Sequence, residues 1–129
     1  MGKTKIMALG GSVAAGTGAK LDVFHDCFQY ESTTVNTVRD TQTWWSILER
    51  LLGDWIEGGA EVINAGGGAT ENASECLGRV EGSVAEHAPD YVLVLLGPQG
   101  ALQGVEAEAF AGSLKQIVDR IAAAGAAPV

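Results

Sequence analysis

Apolar residues along the chain fall into three short unbroken runs, separated by longer stretches with helical spacing. Lys5 to Leu9 is the first run, ended by Gly10-Gly11, and Glu61 to Ala65 is the second, ended by Gly66-Gly67-Gly68. Asp90 to Leu96 reads Asp-Tyr-Val-Leu-Val-Leu-Leu and is apolar on both faces, the signature of a central parallel strand. Gly97-Pro98-Gln99-Gly100 closes it. From about Thr41 to Trp55, the residues Trp44, Ile47, Leu48, Leu51, Leu52 and Trp55 recur at helical spacing, and Gly58-Gly59 is the stop. That stripe turns Trp44 toward the core and leaves Trp45 partly exposed. A second helix is expected from Thr70, read as its N-cap, to about Ala88. Its acids Glu71, Glu75, Glu81 and Glu86 read as a solvated face. A third helix is expected from about Glu106 to Ala124, with Phe110, Leu114, Ile117 and Ile121 along one stripe and Gly125 as its stop. Residues 11–40 show no clear period and read as a long loop, a kind of segment that tends to be functional.

Strand and helix alternate, which predicts an α/β fold with a parallel sheet and helices on both faces. Ala126-Ala127-Pro128-Val129 reads as the opening of a fourth strand. The expectation is therefore one domain over residues 1–129, the N-terminal part of a longer one, completed by a further C-terminal segment or a second chain.

Composition narrows the function. With 129 residues, 47% hydrophobic and 19% charged, the chain is globular and large enough to bury a core. A formal net charge of −8 argues against nucleic acid or an anionic membrane surface as the main partner. No apolar run approaches the roughly 20 residues that span a bilayer. The lysine-flanked apolar start reads as a first strand and not as a secretory signal, which favours a cytoplasmic location. Cys27 and Cys76 fit no zinc pattern and read as two free thiols of a reducing compartment.

Glycine is the outlier, at 18 residues or about twice the usual share. In open α/β sheets ligands bind beyond the carboxyl ends of the strands, and all three apolar runs end in glycine-rich turns there. Phosphate binding is disfavoured: in Gly11-Ser12-Val13-Ala14-Ala15-Gly16-Thr17, Thr17 stands where a P-loop needs Lys. No acidic residue ends the second run to hold a ribose. Ser12 is the better candidate. A serine just past a strand end can offer its hydroxyl as a nucleophile and its own N–H to an oxyanion. A helix N-cap is the competing role for the same serine.

Three blocks of the chain together resemble the SGNH hydrolases, the GDSL esterase/lipase family. Lys5 to Gly16, containing Gly10-Gly11-Ser12, is similar to the first family block, a strand followed by Gly-Asp-Ser. Val62 to Thr70 resembles the second block, and Asp90 to Leu96 with Gly97-Pro98-Gln99-Gly100 resembles the third, a strand followed by Gly-x-Asn-Asp. The resemblance implies a flavodoxin-like three-layer α/β/α sandwich acting on a small-molecule ester, with no cofactor and no metal. Ser12 would be the nucleophile; the N–H groups of Ser12 and Gly68 and the side-chain amide of Gln99 would form the oxyanion hole. Gly66 and Gly67 are alternatives to Gly68.

Four departures from the family pattern matter. Gly11 replaces the Asp of the first block, Gln99 replaces the oxyanion Asn with a stem one methylene longer, and Gly100 replaces the Asp that follows. The last block, Asp-x-x-His, has no counterpart before Val129. Ser12 therefore has no evident general base, and little or no ester turnover is expected of the chain as it stands. His25, flanked by Asp22 and Asp26 in the long loop, is the candidate substitute. His87 precedes the third strand, at the opposite edge of the sheet. These departures leave a second reading open, a non-catalytic domain of the same fold that binds an acyl or carbohydrate ligand.

Overall fold

The structure is a computed structural model that describes residues 2–11, 14, 43–67 and 71–129. Strands β1 (Thr4–Gly10), β2 (Ala60–Gly66), β3 (Tyr91–Leu95) and β4 (Ala127–Pro128) form a parallel sheet in the order β2-β1-β3-β4. Helix α1 (Trp44–Trp55) lies between β1 and β2 in sequence, and α2 (Ala73–His87) between β2 and β3. The short α3 (Pro98–Leu102) and the long α4 (Ala107–Ala123) join β3 to β4.

This order assigns each helix a face. The chain steps one way from β1 to β2 and the opposite way from β2 to β3 and from β3 to β4. Right-handed crossovers then put α1 on one face and α2 with α4 on the other. The two apolar clusters match. Met7, Leu9, Ala65 and Val92 pack with Cys76, Val80 and Val84 of α2 and with Ile117 and Ile121 of α4. On the other face Ile6 and Val62 pack with Trp45, with Leu48, Leu52 and Leu93 partly buried beside them. The result is the expected three-layer α/β/α sandwich, with a flavodoxin-type strand order. The predicted strand over 126–129 is present as β4, paired with β3.

Three details differ from the sequence reading. Trp45 is 1% exposed and Trp44 is half-buried, so the order assigned to the pair is reversed. Helix α1 presents Trp45, Leu48 and Leu52 to the sheet, which turns Ile47, Leu51 and Trp55 outward; Trp55 is 86% exposed. An amphipathic period read from sequence fixes the spacing of a stripe, and here apolar residues on two adjacent stripes compete for the core. Glu49 selects between them, since its carboxylate accepts the Val62 N–H on the open edge of β2 at 2.8 Å. Second, α2 starts two residues later than predicted, capped by Asn72 in a box with Glu75; Thr70 lies outside the described residues. Third, β3 is central but not covered on both faces. Its Tyr91 and Leu95 stay exposed on the α1 side because α1 packs over β2.

Trp45→Ala is expected to lower stability by about 3–5 kcal/mol and Trp55→Ala by less than about 0.5 kcal/mol. Urea unfolding of the two variants checks this, and equal losses would contradict the orientation of α1.

Candidate functional site

The register brings the three glycine-rich turns to one level. Gly10 is the partner of Gly66 in β2 and of Leu95 in β3, so β1, β2 and β3 end side by side. The chain leaves β1 toward β2 and later arrives at β3 on the other side, so the topological switch point lies between β1 and β3. Ligands of such sheets bind in the crevice that opens there.

The backbone at this edge is built around absent side chains. Gly10 has φ +151°, and a Cβ on it would collide with the Leu95 carbonyl oxygen. Gly97, the turn residue after β3, has φ 148° and ψ −65°, a conformation that L side chains rarely adopt. At the end of β2 the buried Asn64 folds its Oδ1 back to accept the Gly66 N–H at 3.0 Å.

Side chains of α2 then tie the turns together. Asn72 Oδ1 accepts the Glu75 N–H at 3.1 Å, and Glu75 returns the bond to the Asn72 N–H at 3.0 Å. The remaining Asn72 donor, Nδ2, reaches Gln103 Oε1 at 2.8 Å, which links the turn after β2 to the segment after β3. Beneath them, Arg79 Nε donates to Glu71 Oε1 at 2.7 Å and Arg79 Nη2 donates to the Gly10 carbonyl at 3.0 Å. Glu71 is thus no part of a solvated face: its side chain is 12% exposed. Sequence reading misses it because a helical acid looks alike whether or not a cation rises to meet it from two turns further on.

Cys76 sits under this ion pair, fully buried and free. Burial pushes its thiol up to about 11; Arg79 opposes the shift, while the charge of Glu71 and its hydrogen bond with the thiol add to it.

Of the residues singled out from sequence, Gln99 lies in α3 directly beyond β3, half-buried, at the same edge as Gly10 and Gly66. Gly100 is buried, and a side chain on it would point at Val105 and Phe110. His87 ends α2 on the approach to β3, at the opposite edge. Ser12, Gly68, His25, Asp22, Asp26 and Cys27 lie outside the described residues. Among the described residues no three His, Cys, Asp or Glu side chains gather as a metal site would need, and no helix is long and apolar enough to cross a membrane. Asn72, Glu71, Arg79 and Gln103 carry the organisation of this edge; Asn72, Arg79 and Gln103 are absent from the sequence reading, and Glu71 enters it only as a solvated acid. Asn72-x-x-Glu75 is the one signal that could have found part of it, as a capping box.

The fold is shared with solved esterases. The chain superimposes on AlinE4, an SGNH-hydrolase family esterase, with a TM-score of 0.70 and 22% identity over 95% of its length. The psychrotrophic esterase EstA from Pseudoalteromonas sp. matches with a TM-score of 0.68 and 20% identity over 98% of the chain. TesA matches with a TM-score of 0.73 and 22% identity over 97%. The chain spans only 56% of AlinE4 and 58% each of EstA and TesA. No family model matches the sequence, and no curated protein does. The likeness defines the fold, that of the SGNH hydrolases, as the three sequence blocks imply.

The buried thiol gives a pH test of this arrangement. Between about pH 9 and 11 the unfolded chain releases the Cys76 proton while the native protein keeps it. The unfolded state then binds fewer protons, and stability falls as pH rises. The urea midpoint should drop more steeply across that window in the wild type than in Cys76→Ala. Parallel slopes would contradict the burial of the thiol beside Glu71.

Proposed function

We propose that this chain carries the nucleophile and oxyanion hole of a serine ester hydrolase working through an acyl-enzyme on Ser12. The observation that carries the reading is the level end of three parallel strands beside the β1/β3 switch point, with Gly10 paired to Gly66 and Gln99 following β3 at the same edge. The fold shared with AlinE4 and EstA supports it. In sequence Ser12 comes two residues after Gly10, and Gly68 two residues after Gly66.

In this reading the Ser12 Oγ attacks the carbonyl carbon of a small ester and gives its proton to a general base. The C–O bond that forms turns the carbonyl oxygen into an oxyanion. The backbone N–H groups of Ser12 and Gly68 and the side-chain amide of Gln99 hold that charge. Donors fixed in place before the reaction are worth most here, since loss of one costs about 10²–10³ in rate. Collapse expels the alcohol, which takes up a proton, and water then releases the acid from Ser12. Among the histidines, His25 is the candidate for the base, in the same segment as Ser12; His87 is excluded by its place at the far edge.

EstA is described as inhibited by monoethylphosphonate, and a phosphonate tests the same chemistry here. A fluorophosphonate probe should form an adduct that peptide mapping places on Ser12. It should disappear in Ser12→Ala and form about 10²-fold more slowly in Gln99→Ala. A folded protein that gives no Ser12 adduct would overturn the reading.

A further inference from the structure

The Gly10 carbonyl accepts two donors from different parts of the chain. The Gly67 N–H reaches it at 2.7 Å and Arg79 Nη2 at 3.0 Å. The Arg79 Nε edge is spent on Glu71, whose carboxylate occupies the space that a side chain on Gly67 would fill. Two points thus meet at one guanidinium, the end of β1 and the residue that leads into α2, and the residue after β2 joins them through the Gly10 carbonyl. In sequence these points lie close to both backbone donors of the proposed oxyanion hole. Gly10 lies two residues before Ser12; Gly67 directly precedes Gly68 and Glu71 follows it by three.

We propose that Arg79 is a positioning residue for the reaction at Ser12, holding the turn after β1 and the turn after β2 at a fixed separation by gripping the Gly10 carbonyl and Glu71 together. The inference rests on the reading of Ser12 as nucleophile and adds the residue that sets the spacing of its oxyanion donors. An ester oxyanion needs its donors at about 2.7–3.1 Å, and a misplacement near 1 Å costs about 10²-fold in rate. Among the described residues one backbone bond, from the Gly67 N–H, joins the two turns beyond the β1/β2 ladder and leaves them free to rock about it; a second bond from a planar guanidinium held by Glu71 removes that freedom. The fork of an arginine can satisfy a carbonyl and a carboxylate at once, whereas a lysine offers a point charge at the end of a flexible stem. The side chain is 30% exposed and its partner 12%, so the pair is shielded enough to keep its geometry. Removing Arg79 also leaves the Glu71 carboxylate without this cation against the Gly67 backbone.

Two readouts separate this role from a general contribution to folding. In Arg79→Ala the phosphonate labelling of Ser12 at saturating probe should slow about tenfold to a hundredfold. The probe concentration giving half the maximal rate should stay within about twofold. In the same variant, amide exchange followed by NMR should accelerate about tenfold or more at Gly67 and stay within about twofold at Ile6 and Val92 in the sheet. Arg79→Lys, which keeps the charge and can hold one acceptor, should fall between wild type and Arg79→Ala in both measurements. It carries the test if Arg79→Ala does not fold. Equal labelling rates, or exchange that rises equally at all three amides, would overturn the positioning role. Absence of Ser12 labelling in the wild type would instead overturn the reading on which it rests, while Gly67 exchange still reports whether Arg79 holds the junction.

Discussion

Three strands converge on one residue that has no room for a side chain. Gly10 ends β1 between Gly66 and Leu95, so close to the Leu95 carbonyl that any Cβ would collide with it. Most features of the carboxyl edge follow from that approach. Because β1 and β3 meet tightly at their ends, the chain must turn away from the sheet there at once. Gly97, with φ 148°, makes that turn after β3. Because the Gly10 carbonyl points to the α2 side, it is met by the Gly67 N–H and by Arg79. Gly10, Gly66 and Gly97 leave backbone bare of side chains at this edge, which suits the stabilisation of developing negative charge by N–H groups.

The polar side chains at this edge work as braces. Asn72 closes a capping box with Glu75 and reaches across to Gln103, while Glu71 and Arg79 lie beneath the turn. Asn72 and Arg79 join segments far apart in sequence, to Gln103 and to Gly10, and both belong to or cap the helix that packs Cys76, Val80 and Val84 on the apolar core of Met7 and Leu9. A site on strand ends inherits the stiffness of its sheet, and these braces extend that stiffness into the turns. Such support lets a loop-built oxyanion hole keep its geometry without reorganising during reaction.

The architecture was readable from sequence because β-type runs ending in glycine, alternating with helical stripes, leave few topologies once crossovers must be right-handed. The glycine turns end the three apolar runs in sequence, and the register brings those ends to one edge. Failures came where tertiary partners decide. Trp44 and Trp45 both fit an apolar helix, and only the bond from Glu49 to β2 and the packing on Ile6 and Val62 choose Trp45. Glu71 looks like any exposed helical acid until Arg79 and the bare backbone of Gly67 enclose it. The start of α2 was misplaced because Thr70 and Asn72 are both good caps, and the reciprocal partner Glu75 favours Asn72. Local pattern carries periodicity and punctuation; long-range polar pairing has no local signature.

The central claim is that the level strand ends place the donors for an oxyanion beside Ser12. A crystal structure of the phosphonate adduct tests it most directly, because the phosphonyl oxygen stands in for the oxyanion of the tetrahedral intermediate. The account predicts phosphorus bonded to Ser12 Oγ, with that oxygen about 2.7–3.1 Å from the N–H groups of Ser12 and Gly68 and from the Gln99 side-chain amide. An adduct whose oxygen faces solvent, or one formed on a residue away from the β1/β3 crevice, would contradict it.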